Sequence, residues 1–408
     1  MPQVSQRAKV VPASPIRKLV PFAEAAKQRG TRVFHLNIGQ PDIETPAEYW
    51  KAIQDTAPKV LAYSHSAGNQ SLREAITRYY ARVGHEISTD EVIVTTGASE
   101  ALNFVFAACL NPGDEVIIPE PFYANYNSFS IASNVQVRPI TTKIEEDFAL
   151  PSIEEFEALI TPQTKAILIC NPGNPTGILY TPEELAQLKE IVLKHDLFLI
   201  ADEVYREFVY DGYTHQSILG LEGAEQHVIV TDSISKRFSA CGARIGCVVS
   251  RNAEVMSGVM KLAQARLSPP TLGQIGAEAV YDLPQSFYDG VVTEYKGRRD
   301  AMLTALREIP GVKVPQVNGA FYAMVKLPVD DSEKFCQWML ESFNHEGSTV
   351  MMAPGGGFYS SEGLGNQEVR IAYVLNELDL LGAIDCLKAG LIEYPGRTAE
   401  VHQEQASA

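Results

Sequence analysis

Seven short apolar runs, spaced by segments of helical pattern, constrain this chain more than any other feature. They are EVIVTT (91–96), EVIIPE (115–120), VQVRPI (135–140), KAILIC (165–170), LFLIADE (197–203), HVIVTDS (227–233) and GCVVS (246–250). Helical periodicity fills most of the gaps, as in SEALNFVFAACL (99–110), PEELAQLKEIVLKH (182–195) and VMSGVMKLAQAR (255–266). Strands that are apolar throughout need cover on both faces. The alternation therefore predicts an α/β chain with a mainly parallel sheet between helix layers. Sheets of this kind take their ligands beyond the carboxyl ends of the strands.

At 408 residues the chain is too long for one simple core, and two or three domains are expected. Residues 1–15 read as a loose arm, 16–29 as an amphipathic helix, and VFHLNIGQPD (33–42) as a strand breaking into a turn. After about Gly290 the texture changes. A charged helix, TEYKGRRDAMLTALREI (293–309), leads to FYAMVKLP (321–328) and later VRIAYVLN (369–376). The expected division is an arm and part of a small domain over 1–45, a large domain over 46–290, and a smaller α+β domain over 291–396. Residues 397–408 have no apolar period and are expected to be a disordered tail.

Charge narrows the function. The chain has 34 Lys and Arg against 50 Asp and Glu, a formal net charge of −16. Long-range repulsion of that sign opposes general binding to nucleic acid or to an anionic membrane. A small anion held by a local cluster of donors remains open. No secretory signal or membrane span is read. The six cysteines (Cys109, Cys170, Cys241, Cys247, Cys336, Cys386) form no CxxC pair, so reduced thiols in a cytoplasmic protein are expected, and no metal site.

Four segments at strand ends carry chemistry. In TTGASEAL (95–102) the free N–H groups at a helix start, with the Ser99 hydroxyl, suit a phosphate; alone, the turn is an ordinary junction capped by Ser99. NPGNPTG (171–177) is a prescribed turn that presents Asn174 with both a donor and an acceptor. LFLIADEVY (197–205) ends a dry strand with Asp202, which then needs a cationic partner, whereas Glu203 is expected to face solvent. Tyr205 brings a phenol to the same mouth. In TDSISKRFSACGARIG (231–246), Lys236 lies between Ser233 and Arg244, which can share one phosphate. The four segments supply an amine for an aldehyde, an acid for a pyridine nitrogen, an amide and a phenol for a ring hydroxyl, and phosphate donors. Pyridoxal phosphate chemistry asks for that set.

These residues resemble the class I/II aminotransferases, the aspartate aminotransferase superfamily of fold-type I pyridoxal phosphate enzymes, from about Ile16 to Leu391. SISKRFSACGARIG is the most specific element, with NPGNPTG and ADEVY in the same order. The resemblance implies that Lys236 carries the cofactor as an imine and shuttles a proton between the substrate Cα and the cofactor C4′ carbon. Asp202 would pair with the ring nitrogen, Asn174 and Tyr205 with the ring oxygen, and Tyr123 of EPFYANY would stack on the ring. Ala98, Ser99, Ser233 and Arg244 would hold the phosphate, completed by Tyr63 of a neighbouring subunit in a homodimer with shared sites. Arg370 would grip the substrate α-carboxylate, with Gly39 of NIGQPD at the same pocket.

One departure bears on the substrate. Where the bacterial aspartate-specific branch carries a lysine in the first phosphate turn, this chain has Ser99. Arg266 of QARLSPP, near a region that can reach a neighbouring subunit's substrate pocket, is a candidate substitute cation, or simply a helix-ending arginine that favours the carboxyl-end dipole. The implied reaction is transfer of an amino group from an L-amino acid, aspartate as the first expectation and aromatic ones next, to a 2-oxo acid such as 2-oxoglutarate, with ping-pong kinetics. A β-lyase with the same motifs stays open, as does, more remotely, a regulator that binds the cofactor.

Overall fold

The computed structural model describes residues 2–56 and 58–398. The expected tail lies outside them from residue 399 on. Seven strands form the central sheet in the order Val92–Thr95, Gly246–Val249, Val228–Ser233, Phe198–Asp202, Thr164–Cys170, Glu115–Glu120 and Gln136–Thr141. All neighbours pair in parallel except around Gly246–Val249, which runs antiparallel to both its partners. The mainly parallel sheet read from the sequence is thus confirmed, with one reversed strand.

The reason is visible in the side chains. Val92–Thr95, Glu115–Glu120, Val228–Ser233 and Gly246–Val249 are buried along their whole length. Alternate residues feed two apolar clusters: Ile93, Val116, Ile118, Leu168, Ile200 and Val248 on one side, and Val94, Ile117, Ile167, Leu199, Val230 and Val249 on the other. Helices cover both. Pro182–His195 opens with a capping box between Thr181 and Glu184 and buries Leu185, Leu188, Ile191 and Val192.

The C-terminal part builds a second layer. Tyr322–Lys326 pairs antiparallel with Glu368–Ala372, which pairs in turn with Ala353–Pro354. Arg32–His35 returns to this region and pairs in parallel with Ser348–Met351. Near the N-terminus the expected loose arm contains a short helix, Gln6–Val10, because the Ser5 hydroxyl accepts the Ala8 N–H at 3.3 Å and Arg7 reaches the Ala132 carbonyl at 3.0 Å. Among the described residues, no helix is long and apolar enough to cross a membrane.

Candidate active site

The strand register aligns the chemistry. Cys170 pairs with Asp202, and Asp202 with Thr231, so the carboxylate stands at the carboxyl end of the central strands. Gly246 pairs with Thr95 on one side and Ser233 on the other, which brings the Gly-Ala-Ser turn beside the lysine segment. A Cβ on Gly246 would lie 2.6 Å from the Gly97 carbonyl carbon, 2.7 Å from the Ala98 nitrogen and 2.7 Å from the Asp232 oxygen, so only glycine permits this approach.

At one end of the site a helix begins. Gly97–Cys109 starts with no side-chain cap, so its first N–H groups point outward. The Ser99 cap considered from sequence does not form. Instead Glu100 accepts the Thr96 N–H at 2.7 Å. Gly97, at φ +74°, lies directly under the Arg244 guanidinium, whose remaining contacts are the Cys241 and Thr96 carbonyls at 3.1 and 3.5 Å. Ser233 is buried, and its hydroxyl accepts the Ser235 N–H at 3.3 Å. Uncapped N–H groups, a guanidinium and a small-residue turn form an anion cradle.

A hydrogen-bonded circuit joins five of the residues singled out from sequence. Lys236 Nζ donates to the Gly39 carbonyl at 2.9 Å, and the Tyr322 hydroxyl reaches the same oxygen at 3.4 Å. Tyr322 and Tyr205 share a bond of 2.9 Å between their hydroxyls, and Asn174 Nδ2 donates to Tyr205 at 3.4 Å. Asn174 Oδ1 then accepts from Arg370 at 3.0 Å, while the other Arg370 terminal nitrogen donates to the Asn37 carbonyl at 2.6 Å. Sequence reasoning did not single out Asn37 and Tyr322. The pairing of Tyr322 with Ala372 and of Met324 with Arg370 sets Tyr322 and Arg370 on one face of the small sheet. The Arg370 guanidinium lies 4.5 Å from the Tyr322 ring centre.

Two buried charges in this site have no ionic partner among the described residues. Arg370 is 1% exposed, its Nε has no partner, and burial pulls its pKa down. Asp202 is 5% exposed, and burial raises its carboxyl to about 6, against the lowering effects of the Tyr126 hydroxyl at 2.9 Å and the Val204 N–H. Tyr126 was also missed, although it lies one helical turn past Tyr123 in EPFYANY. Tyr123 is half-buried, accepts from Asn125 at 2.8 Å and meets Tyr126 edge to face.

These features test the fit of pyridoxal phosphate. Among the described residues Asp202 has no cation and Lys236 no carboxylate partner, which suits a protonated ring nitrogen and an aldehyde respectively. The uncapped helix end under Arg244 suits a phosphate. The residues fit the group.

Three expectations need correction or qualification. Glu203 does not face solvent: it is fully buried, with Oε1 accepting from Ser217 and from the Ile218 N–H, each at 3.0 Å, and with Arg206 3.7 Å from Oε2. The loop carrying Ser217 folds over it. Arg266 ends the helix Ala253–Arg266, and its charge is spent on Glu100 at 3.0 Å, with further bonds to the Ser66 and Val94 carbonyls. It therefore fits the helix-ending reading within its own chain. Tyr63 is 77% exposed and shares an open hollow with Thr96, Ser268 and Pro269, away from the circuit around Lys236.

A mainly parallel sheet with a lysine, an acid and an anion cradle at its strand ends defines a fold-type I pyridoxal phosphate enzyme. Residues 31–381 match the family of class I and II aminotransferases. The aspartate aminotransferase of Thermotoga maritima is 34% identical over 359 residues, 87% of this chain and 92% of that protein. Among solved structures, an alanine aminotransferase from Pyrococcus furiosus is similar at a TM-score of 0.86 and 31% identity, covering 95% of this chain and 99% of that one. N-succinyldiaminopimelate aminotransferase from Mycobacterium tuberculosis is similar at 0.87 and 27%, covering 95% and 100%. The chain belongs to the class I and II aminotransferases. It is a pyridoxal phosphate-dependent aminotransferase, and the differing names of its relatives leave its substrate open.

Proposed function

We propose that Lys236 is the covalent anchor and proton carrier of this aminotransferase, and that Arg370 receives the α-carboxylate of an L-amino acid and then of a 2-oxo acid. The observation that carries the reading is the pair of buried, mutually unpaired charges, Asp202 and Arg370, with the Lys236 circuit alongside. Burying a charge without a partner is costly. Their persistence is intelligible if ligands complete both.

The bound cofactor supplies an electron-withdrawing ring and the carbon that takes up the amine. Asp202 would keep the proton on the ring nitrogen, while Asn174 and Tyr205 would orient the ring oxygen and Tyr123 would cover the ring. Ala98, Ser99, Ser233 and Arg244 bind the phosphate. Asn37 and Asn174 fix the plane of Arg370, so that its fork meets a carboxylate without rearrangement. Lys236 would hold the cofactor through its aldehyde and, as the free amine, would carry a proton between the substrate Cα and the cofactor.

The active unit is proposed to be a homodimer in which Tyr63 of a second copy completes the phosphate cup. An exposed apolar group, Val60, Leu61, Tyr63, Leu267 and Leu272, supports this. Six free thiols, four of them buried, suit a reducing cytoplasm.

The test is a half-reaction screen of the loaded enzyme against single amino acids, followed by cofactor absorbance. Lys236→Ala should lose the imine absorption and turnover together. A variant that transaminates at the parent rate would remove Lys236 from the chemistry. Pyruvate from a thioether amino acid, without glutamate from 2-oxoglutarate, would favour the lyase.

A further inference from the structure

We propose that Tyr322 is a positioning residue for the ring oxygen of the cofactor: its hydroxyl donates to Tyr205 and so leaves the Tyr205 O–H for the ring. This rests on the reading that Tyr205 meets the ring oxygen, and it explains how that phenol comes to point its proton there.

The argument is a count of protons. The Tyr322 oxygen stands 2.9 Å from the Tyr205 oxygen and 3.4 Å from the Gly39 carbonyl. It has one proton to give. The Gly39 carbonyl already accepts from Lys236 at 2.9 Å, so the shorter contact, to Tyr205, takes the proton. Asn174 Nδ2 donates to the same Tyr205 oxygen at 3.4 Å. Tyr205 therefore accepts twice, and among the described residues its own proton has no acceptor. The ring is 3% exposed, and a donor buried without a partner is costly. An oxygen of the cofactor completes it.

The packing holds this arrangement. Tyr322 is 2% exposed and meets Tyr205 edge to face, with ring centres 5.5 Å apart. Phe321 abuts Tyr205 edge to face from another side at 5.2 Å, so the Tyr205 ring does not swing. Gly39 makes the room: a Cβ there would fall on the Tyr322 hydroxyl and push it off Tyr205. The glycine of NIGQPD thus serves the phenol pair as well as the pocket.

The consequence is electrostatic. A donor held on the ring oxygen favours the charged form of that oxygen, and the imine nitrogen beside it then holds its proton less tightly. A hydroxyl that accepts a hydrogen bond is itself the better donor. Tyr322 acts on the ring in this way without touching it.

The experiment titrates the imine absorption with pH, in the loaded enzyme without substrate, for wild type, Tyr322→Phe, Tyr205→Phe and the double variant. Each substitution keeps the aromatic ring and its packing. Tyr205→Phe should raise the midpoint by about one to two pH units, since a hydrogen bond to a charged oxygen is lost. Tyr322→Phe should raise it by about half a pH unit. The double variant should match Tyr205→Phe alone, because Tyr322 works only through that hydroxyl. A midpoint raised by Tyr205→Phe but unmoved by Tyr322→Phe would overturn the role of Tyr322 and leave that of Tyr205 standing. Single shifts that simply add in the double variant would overturn it too. A midpoint that no variant moves would instead remove Tyr205 from the ring oxygen, and the role of Tyr322 with it.

Discussion

Tyr126 donates its hydroxyl to Oδ2 of Asp202 at 2.9 Å, and this is the firmest polar contact of a carboxylate that has no cationic partner among the described residues. The other oxygen has only the Val204 N–H at 3.4 Å. Burial already holds the acid at about 6. Removing the phenol oxygen pushes it higher, since a hydrogen bond to the charged form favours that form.

Tyr126→Phe should therefore weaken cofactor binding about tenfold, because a less acidic Asp202 holds a protonated ring nitrogen less well. Titration of the apoprotein with pyridoxal phosphate, followed by absorbance, measures this. An unchanged dissociation constant would separate Asp202 from the ring.

Arg370 offers a sharper contrast. Its plane is fixed by Asn174 and Asn37, at 3.0 and 2.6 Å, and a lysine cannot reproduce that fork. Arg370→Lys should lower kcat/KM for acidic and neutral amino acids alike, by about a hundredfold, since all share the α-carboxylate. A loss confined to acidic substrates would instead place Arg370 at the side chain.

Gly246→Ala probes the phosphate end without touching a donor. The added methyl meets backbone of Gly97, Ala98 and Asp232 at 2.6–2.7 Å, where nothing can rotate away. Overpacking of this kind should cost about 1–3 kcal/mol in urea unfolding and weaken cofactor binding as the Gly97–Ala98 turn is displaced from Arg244. Parent-like stability together with parent-like affinity would show that the turn yields freely.

The sheet was legible in the chain because each strand is an apolar run with turn residues at its ends. Pro182–His195 was legible from its helical periodicity, down to its end residues, and the capping box seen in the structure fixes its start. Lys236, Asp202, Asn174 and Arg244 were legible because they lie inside short motifs. Tyr322 and Asn37 were not, since one meets Arg370 from the neighbouring strand of the small sheet and the other from a turn 333 residues earlier, and neither carries a local pattern. Arg266 was legible as a helix-ending arginine, but its partner Glu100 was not, because it belongs to another helix and a single sequence does not show which of two distant charges meet. Asp202 and Glu203 end one strand on opposite faces, and only the fold of the 215–218 loop tells which covering is complete.

Glu203 gives the last prediction, and it concerns stability rather than turnover. Burial raises this carboxyl from 4.5 to about 7, against the pull of Arg206 and of the Ile218 and Ser217 donors, while Asp232 raises it further. A group that holds its proton more tightly folded than unfolded contributes fully below pH 4.5, and that contribution fades as pH rises through about 7. Glu203→Gln keeps the two bonds to Oε1 and does not ionise. His215, 3.9 Å away, has its pKa driven far down by burial and by Arg206, so it works in the opposite sense, but it is present in both proteins and cancels in the comparison. The melting temperature of wild type relative to Glu203→Gln should thus fall by about 2–5 °C between pH 5 and pH 8 in the apoprotein. A difference that is flat across that range would mean that Glu203 stays ionised throughout, paired with Arg206 despite its burial.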